Sequence, residues 1–193
     1  VRDTLADPGL VAFPGPAGLT PGCLNQISCG TDYTQRVGRK ILMKSLLMRF
    51  VAAIDPTANL NSGNVYRIII YVDLQNNGAA PALADLLQIG GATFSYLSPI
   101  NLANRDRIKI LYDQTLTCPA FNVTNAFGQP SPMSFKVYLP KLNQETIYNT
   151  AGNPATPLVT DINTGALMFT IVSQNQDGGC KWNAYFRVRF VDA

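Results

Sequence analysis

Histidine is absent from this chain of 193 residues, and Glu145 is its single glutamate. Without His there is no Ser-His or Cys-His nucleophile pair, no ordinary proton shuttle near neutral pH and no basis for most zinc sites. A glycosidase built on two carboxylates would have to rest on aspartates alone. The sequences G-x-S-x-G, G-x-x-x-x-G-K-[ST] and H-E-x-x-H do not occur. The chain is therefore read as a non-enzyme, with no catalytic residues and no cofactor. Long apolar runs are missing too. None approaches the ~20 residues of a membrane helix and no signal peptide is visible, so no membrane partner is expected.

Charge is scarce. Only 14% of residues are charged while 47% are hydrophobic, against a usual charged share of about 25%. A soluble monomer covers itself with more charge than this, so part of the apolar surface is expected to be buried against other subunits. A secreted β-protein rich in Asn, Thr and Gly is the alternative reading. The net charge of +3 is unevenly placed. Arg36, Arg39, Lys40, Lys44 and Arg49 follow one another with no acid between Tyr33 and Ile54, and Lys181, Arg187 and Arg189 meet only Asp192. Such clusters mark either a polyanion-facing surface or a solvated face. Four cysteines remain, Cys23, Cys29, Cys118 and Cys180, in no zinc-ribbon or C-x-x-C spacing. They are read as idle thiols, with a Cys23–Cys29 loop as the alternative in an oxidising setting.

Residues 1–30 alternate Pro8, Pro14, Pro16 and Pro21 with Gly9, Gly15, Gly18, Gly22 and Gly30, which excludes a helix. Leu5, Leu10, Val11, Phe13 and Leu19 are more apolar than a free linker needs, so an extended N-terminal arm lying on the body or on a neighbouring subunit is expected. From residue 31 to 193 a single domain follows. Segments 39–54, 64–73, 106–118, 133–139, 166–174 and 181–191 read as strands, rich in Ile, Val, Phe, Tyr and Leu and bounded by turn residues. The last alternates strictly, with Trp182, Ala184, Phe186, Val188 and Phe190 on one face and Lys181, Asn183, Tyr185, Arg187 and Arg189 on the other. Segment 133–139 repeats this, with Phe135, Val137 and Leu139 opposite Ser134, Lys136 and Tyr138. Shorter pieces near 92–97 and 145–149 would complete eight strands, and only 82–88 reads as helical. Long loops are expected at 74–81, 119–132 and 149–165. Tight turns mixed with long crossings predict an all-β, eight-stranded double-sheet jelly roll.

Three stretches carry a family resemblance. The strand Tyr66–Asp73 runs into Asp73, Gln75, Gly78 and Pro81, a D-x-Q-x-x-G-x-x-P pattern. Asn104, Arg107, Leu111 and Asp113 form N-x-x-R-[IF]-x-[IV]-L-x-D. Gln35 to Lys40, followed by Ile41 to Leu47, resembles a Q-R-x-G-x-[KR]-[IF] entry to a first jelly-roll strand. In this order they resemble single jelly-roll viral capsid proteins: the coat proteins of small CRESS-DNA viruses, geminiviruses included, and those of the necrosis-virus satellites.

The resemblance implies a capsid protein that assembles with itself into an icosahedral (T=1) shell of about sixty subunits. It implies sequence-independent enclosure of a single-stranded nucleic acid, read as DNA, and a place in the virion, with assembly in the host nucleus for a CRESS-DNA virus. It places Arg36, Arg39, Lys40, Lys44, Arg187 and Arg189 against nucleic acid, because the strand bases lie near the interior, where phosphates gather. Asp73, Gln75, Gly78, Pro81, Asn104, Arg107, Leu111 and Asp113 are its structural motif, with Asp73 also a candidate turn cap and Arg107 and Asp113 candidates for ion pairs. The Arg/Lys block of such arms and the geminivirus Cys/His set are lacking. The chain opens at Val1, so a basic arm is expected to have been removed or left out. Asp55, Asp161, Asp177 and Asp192 offer oxygens for calcium but form no twelve-residue calcium loop, and neither a metal nor a receptor is assigned. The rival function is a secreted carbohydrate-binding jelly roll, with Asn122-Val123-Thr124 as a glycosylation sequon and Trp182 and the tyrosines stacking on sugar.

Overall fold

Alternation along the chain becomes two facing antiparallel sheets in the computed structural model, which describes residues 2–6, 11–14, 21–54, 64–76, 78–89, 94–118, 132–149, 157–174 and 176–193. The elements are β1 (Arg2–Ala6), β2 (Val11–Pro14), β3 (Gly22–Cys23), β4 (Lys40–Ile54), β5 (Asn64–Asp73), α1 (Leu83–Leu86), β6 (Ile108–Cys118), β7 (Met133–Tyr148), β8 (Ile162–Thr164), β9 (Ala166–Ser173) and β10 (Gln176–Asp192). The larger sheet runs β1-β10-β4-β7-β8, with β2 also on β10, and the smaller runs β3-β9-β5-β6.

With β2 and β8 set aside, the pairing is nested. The first strand pairs with the last (β1 with β10), the second with the seventh (β3 with β9), the third with the sixth (β4 with β7) and the fourth with the fifth (β5 with β6), all antiparallel. An antiparallel ribbon rolled onto itself gives this order, and the rolling also sets β10 against β4 and β9 against β5. The fold is an all-β jelly roll.

The nesting changes the reading of the N-terminal segment. Residues 1–30 were expected as an arm, and Ile41–Leu47 as the start of the first jelly-roll strand. Instead β1 takes the first place, β3 the second, and β4 is third. Leu24 and Ile27 are buried in the core, and Cys29 bridges to Arg36 in parallel. Pairing therefore crosses the boundary expected at residue 30. Proline and glycine exclude helix but leave short extended pieces free to pair, and apolar residues between them supply the reason to do so.

Two other expectations shift. The segment at 94–98 is a turn, closed by Ser98 N donating to Ser95 O at 2.9 Å, while residues 92–93 lie outside the described ones. The piece at 145–149 is the end of β7, which continues through Lys141 and Asn143 at φ of 55° and 47°. A register shift between Met43 and Ser45 of β4 accompanies that irregularity, so both halves of β7 stay paired. Of the expected helix only α1 forms, four residues long, with Ala82 N donating to Asp85 Oδ2 at 2.9 Å.

Between the sheets, Trp182 and Phe50 stack at 5.9 Å, and Phe169 meets Phe186 edge-on at 4.7 Å. A buried polar centre ties the N-terminal segment in. Asn25 Nδ2 donates to Thr146 Oγ1 at 2.8 Å and to Gly165 O at 2.9 Å, while its Oδ1 accepts from Leu167 N at 2.9 Å. Tyr148 Oη donates to Asn25 O at 2.7 Å. Gly165 sits at φ +77°, where an added Cβ would lie 1.9 Å from Glu145 O, so only glycine fits between β7 and β9.

Candidate nucleic-acid interface

Because Trp182, Ala184, Phe186, Val188 and Phe190 are buried, the alternate residues of β10 stand on the outer face of the larger sheet. Register then sets their neighbours. Tyr185 lies opposite Arg49 of β4, and Arg49 opposite Lys136 of β7. In the next row Arg187 lies opposite Leu47, and Leu47 opposite Tyr138. Neighbouring strands are about 4.8 Å apart, so each row is a short ladder of side chains. A shallow depression of about 580 Å³ opens on the first row, lined by Arg49, Val51, Ser134, Lys136, Asn183 and Tyr185.

No acid appears among the outward residues of β10 from Lys181 to Arg187 or their partners on β4 and β7. Glu145 is at the far end, paired with Lys40 at 2.6 Å, and Asp3 of β1 stands opposite Arg189. Arg49 and Lys136 are thus like charges directly across a strand pair, an arrangement that costs stability unless an anion is supplied. The exposed guanidinium and ammonium groups suit phosphate, and the face has the charge to hold a polyanion without reading sequence.

The six residues expected against nucleic acid do not share one fate. Arg187 and Arg189 lie on this face. Lys44 is half-buried at the β4 irregularity. Lys40 faces Glu145, and Arg39 Nε donates to Tyr148 O at 3.1 Å. Arg36 is corrected: it is fully buried, its guanidinium carbon 4.0 Å from the centroid of the Tyr148 ring. Its Nε donates to Ile27 O at 3.1 Å and its Nη1 to Gly38 O. A weakly hydrated planar cation can be held in this way by an aromatic face and carbonyls. It cannot also meet phosphate.

Arg49, Lys136, Tyr138 and Tyr185 were missed as site residues. The alternation of 133–139 and 181–191 already put three of them on polar faces. What it could not give was that β7 and β10 flank β4.

The motif residues lie elsewhere, on β5 and β6 of the smaller sheet and on the connection between them. Arg107 Nε and Nη2 donate to Asp73 Oδ1 and Oδ2 at 2.9 and 2.8 Å, and Asp73 is fully buried. This hydrogen-bonded pairing, set against burial, pushes the Arg107 pKa up. Asp73 Oδ1 also accepts from Gln75 N at 3.0 Å, the expected turn cap. Asn104 Nδ2 donates to Asp85 O at 2.9 Å, Gly78 takes φ +78°, Pro81 is buried, and Leu111 is partly buried against the core. Asp113 pairs with Arg67, at 2.6 and 2.5 Å, and Arg67 Nη1 reaches the carbonyls of Tyr96 and Ser98. These side chains fasten the 74–107 connection to β5 and β6.

Among the described residues no three His, Cys, Asp or Glu side chains converge on a metal position. Asp161 Oδ2 accepts from Leu158 N at 2.7 Å and Asp192 Oδ1 from Val37 N at 3.0 Å. The side chains of Asp55 and Asp177 lie outside the described residues. Cys23 and Cys29 are not joined in a disulfide, and burial pushes the Cys23 thiol up to about 12. Trp182 is 1% exposed and unavailable to stack on a sugar, while Asn122 falls outside the described residues.

Residues 16–193 match the family described as Satellite tobacco necrosis virus coat protein. The chain is 28% identical over 174 residues to the coat protein of Maize white line mosaic Satellite virus, a match covering 89% of this chain and 72% of that one. The family match falls within the necrosis-virus satellites named from the motifs, and the relative is the coat protein of another satellite virus.

Proposed function

Because the chain belongs to the Satellite tobacco necrosis virus coat protein family, and so is a viral coat protein with a structural place in the virion, we propose that its copies close into a small icosahedral shell around single-stranded nucleic acid. In this reading the β10-β4-β7 face is turned inward. The observation that carries it is the acid-free run of Arg49, Lys136 and Arg187 across three paired strands. Self-association is supported by the low charge and by Leu97, Leu102 and Leu158, which are 73%, 68% and 59% exposed on connections outside the sandwich. Closure with icosahedral symmetry gives about sixty copies in the smallest shell.

A phosphate-directed face does not choose between ribose and deoxyribose. A DNA genome, and with it nuclear assembly, rests on the motif resemblance to CRESS-DNA coat proteins alone, and the satellite matches lend it no support. Sedimentation and electron microscopy of the purified protein test the shell, and nuclease digestion of extracted particles identifies the sugar. Megadalton particles holding nuclease-protected nucleic acid are expected. Only monomer or dimer at micromolar protein, across salt and pH, would overturn the shell. Closed but empty particles under packaging conditions would overturn the inward-facing assignment.

A further inference from the structure

The outer face of the larger sheet carries tyrosines among its cations. Tyr185 and Tyr138 are 41% and 54% exposed, whereas the other aromatic residues of β4, β7 and β10 serve the core. Tyr185 shares its row with Arg49 and Lys136, and Tyr138 shares the next with Leu47 and Arg187. An exposed tyrosine on a strand needs no explanation by itself. Two of them, Tyr185 opposite Arg49 and Tyr138 two residues from Lys136, on rows of β10, β4 and β7 that carry no acid and beside a depression of about 580 Å³, form a recurring pair of chemistries. Aromatic rings stack on bases, and cations follow the backbone.

We infer that Tyr185 and Tyr138 are a base-stacking platform, each taking one unpaired base while Arg49, Lys136 and Arg187 hold the flanking phosphates, so that the face selects single strands over duplex. The inference rests on the inward-facing, nucleic-acid-binding role proposed above and adds to it the part of the ligand that is read. Two strands of spacing and two residues along the strand separate the tyrosines by roughly 12 Å. A duplex presents bases stacked about 3.4 Å apart with their faces covered, and it cannot reach either ring with a base face. A single strand splayed over the sheet can. The cations alone would bind both forms.

The test uses the 193-residue chain, a 20-nucleotide thymidine strand, the same strand with its bases removed at successive positions, and a 20-base-pair duplex, read by fluorescence anisotropy at several salt concentrations. The wild type should bind the thymidine strand more tightly than the abasic strand, by roughly 5- to 150-fold for each stacked base lost. Tyr185→Ala and Tyr138→Ala should each lower affinity for the thymidine strand by a factor in that range, leave duplex binding unchanged and leave the salt slope unchanged. Tyr185→Phe should restore affinity. Arg49→Gln with Lys136→Gln should instead flatten the slope of log K against log salt by about 1.4, at roughly 0.7 per phosphate contact on a single strand. Equal wild-type binding of intact, abasic and duplex probes would overturn the platform while leaving the phosphate face standing. Wild-type protein that binds none of the three would remove the nucleic-acid reading itself.

Discussion

Arg107 closes two guanidinium nitrogens on a carboxylate that water does not reach, 2.9 and 2.8 Å from the two oxygens of Asp73. Asp73 ends β5 and Arg107 stands just before β6, so this one pair joins two strands across a connection of more than thirty residues. Arg107 keeps partial contact with solvent while Asp73 has none. The cost of breaking the pair is therefore unequal. Arg107→Met leaves a buried charge uncompensated and should destabilise the fold by about 3–5 kcal/mol. Adding Asp73→Leu should recover part of that loss, since the pair then disappears together. Urea midpoints of the two variants check this, and a loss below about 1 kcal/mol for Arg107→Met would count against a buried pair.

Arg36→Met should behave as a core change and not as a charge change. Loss of the desolvated contact with Tyr148 removes about 2 kcal/mol, and binding to single strands should keep its salt slope. Arg39→Gln should do the reverse in stability, staying within about 0.5 kcal/mol of wild type. A flattened salt slope in Arg36→Met with unchanged melting would restore Arg36 to the phosphate-binding face.

Deleting residues 1–30 should abolish the folded sandwich, because it strips β1 and β2 from β10, β3 from β9, and Asn25 and Ile27 from the core. Asn25→Ala is the gentler test. It leaves Leu167 N without its side-chain partner, at roughly 1–3 kcal/mol for that bare group, while Gly165 O keeps the Thr146 hydroxyl as a donor. Far-ultraviolet circular dichroism and thermal melting read both. A deletion variant with native melting would return this segment to the expected role of an arm laid on an already folded body or on a neighbouring subunit.

Stability should fall in alkali. Burial raises Cys23 from 9.0 to about 12, and it raises Tyr71 and Tyr148 above their ordinary value of 10.0. In each case the folded state holds its proton longer than the unfolded chain does. The contribution is therefore whole below pH 9 and is lost as pH climbs through the folded values. Denaturant midpoints should be flat from pH 7 to 9 and drop from there toward 12. Cys23→Ser, which removes one such group, should soften the first part of that drop.

Much of the fold was legible in one dimension. Strict alternation over 181–191 fixed which residues of β10 face the core, since a strand's side chains change sides at every step. The apolar run 64–73 and the motif Asp73–Pro81 marked a strand ending in a capped turn, which local hydrogen-bonding chemistry imposes. Missing histidine excluded whole classes of catalysis before any geometry was known.

Other properties belong to the tertiary structure. Residues 2–6 and 22–23 carry too little local signal to be strands, and they become so because β10 and β9 present open edges to them. Arg36 reads as one more cation in a basic run, yet its burial depends on Tyr148, more than a hundred positions away. The cation-and-tyrosine face exists only because rolling the ribbon sets β7, β4 and β10 side by side. The chain by itself determined which residues are apolar, which alternate and which chemistry is absent. Pairing between distant segments decided which charges are buried and which lie together on one surface, because register is set by long-range contact and not by neighbours in sequence.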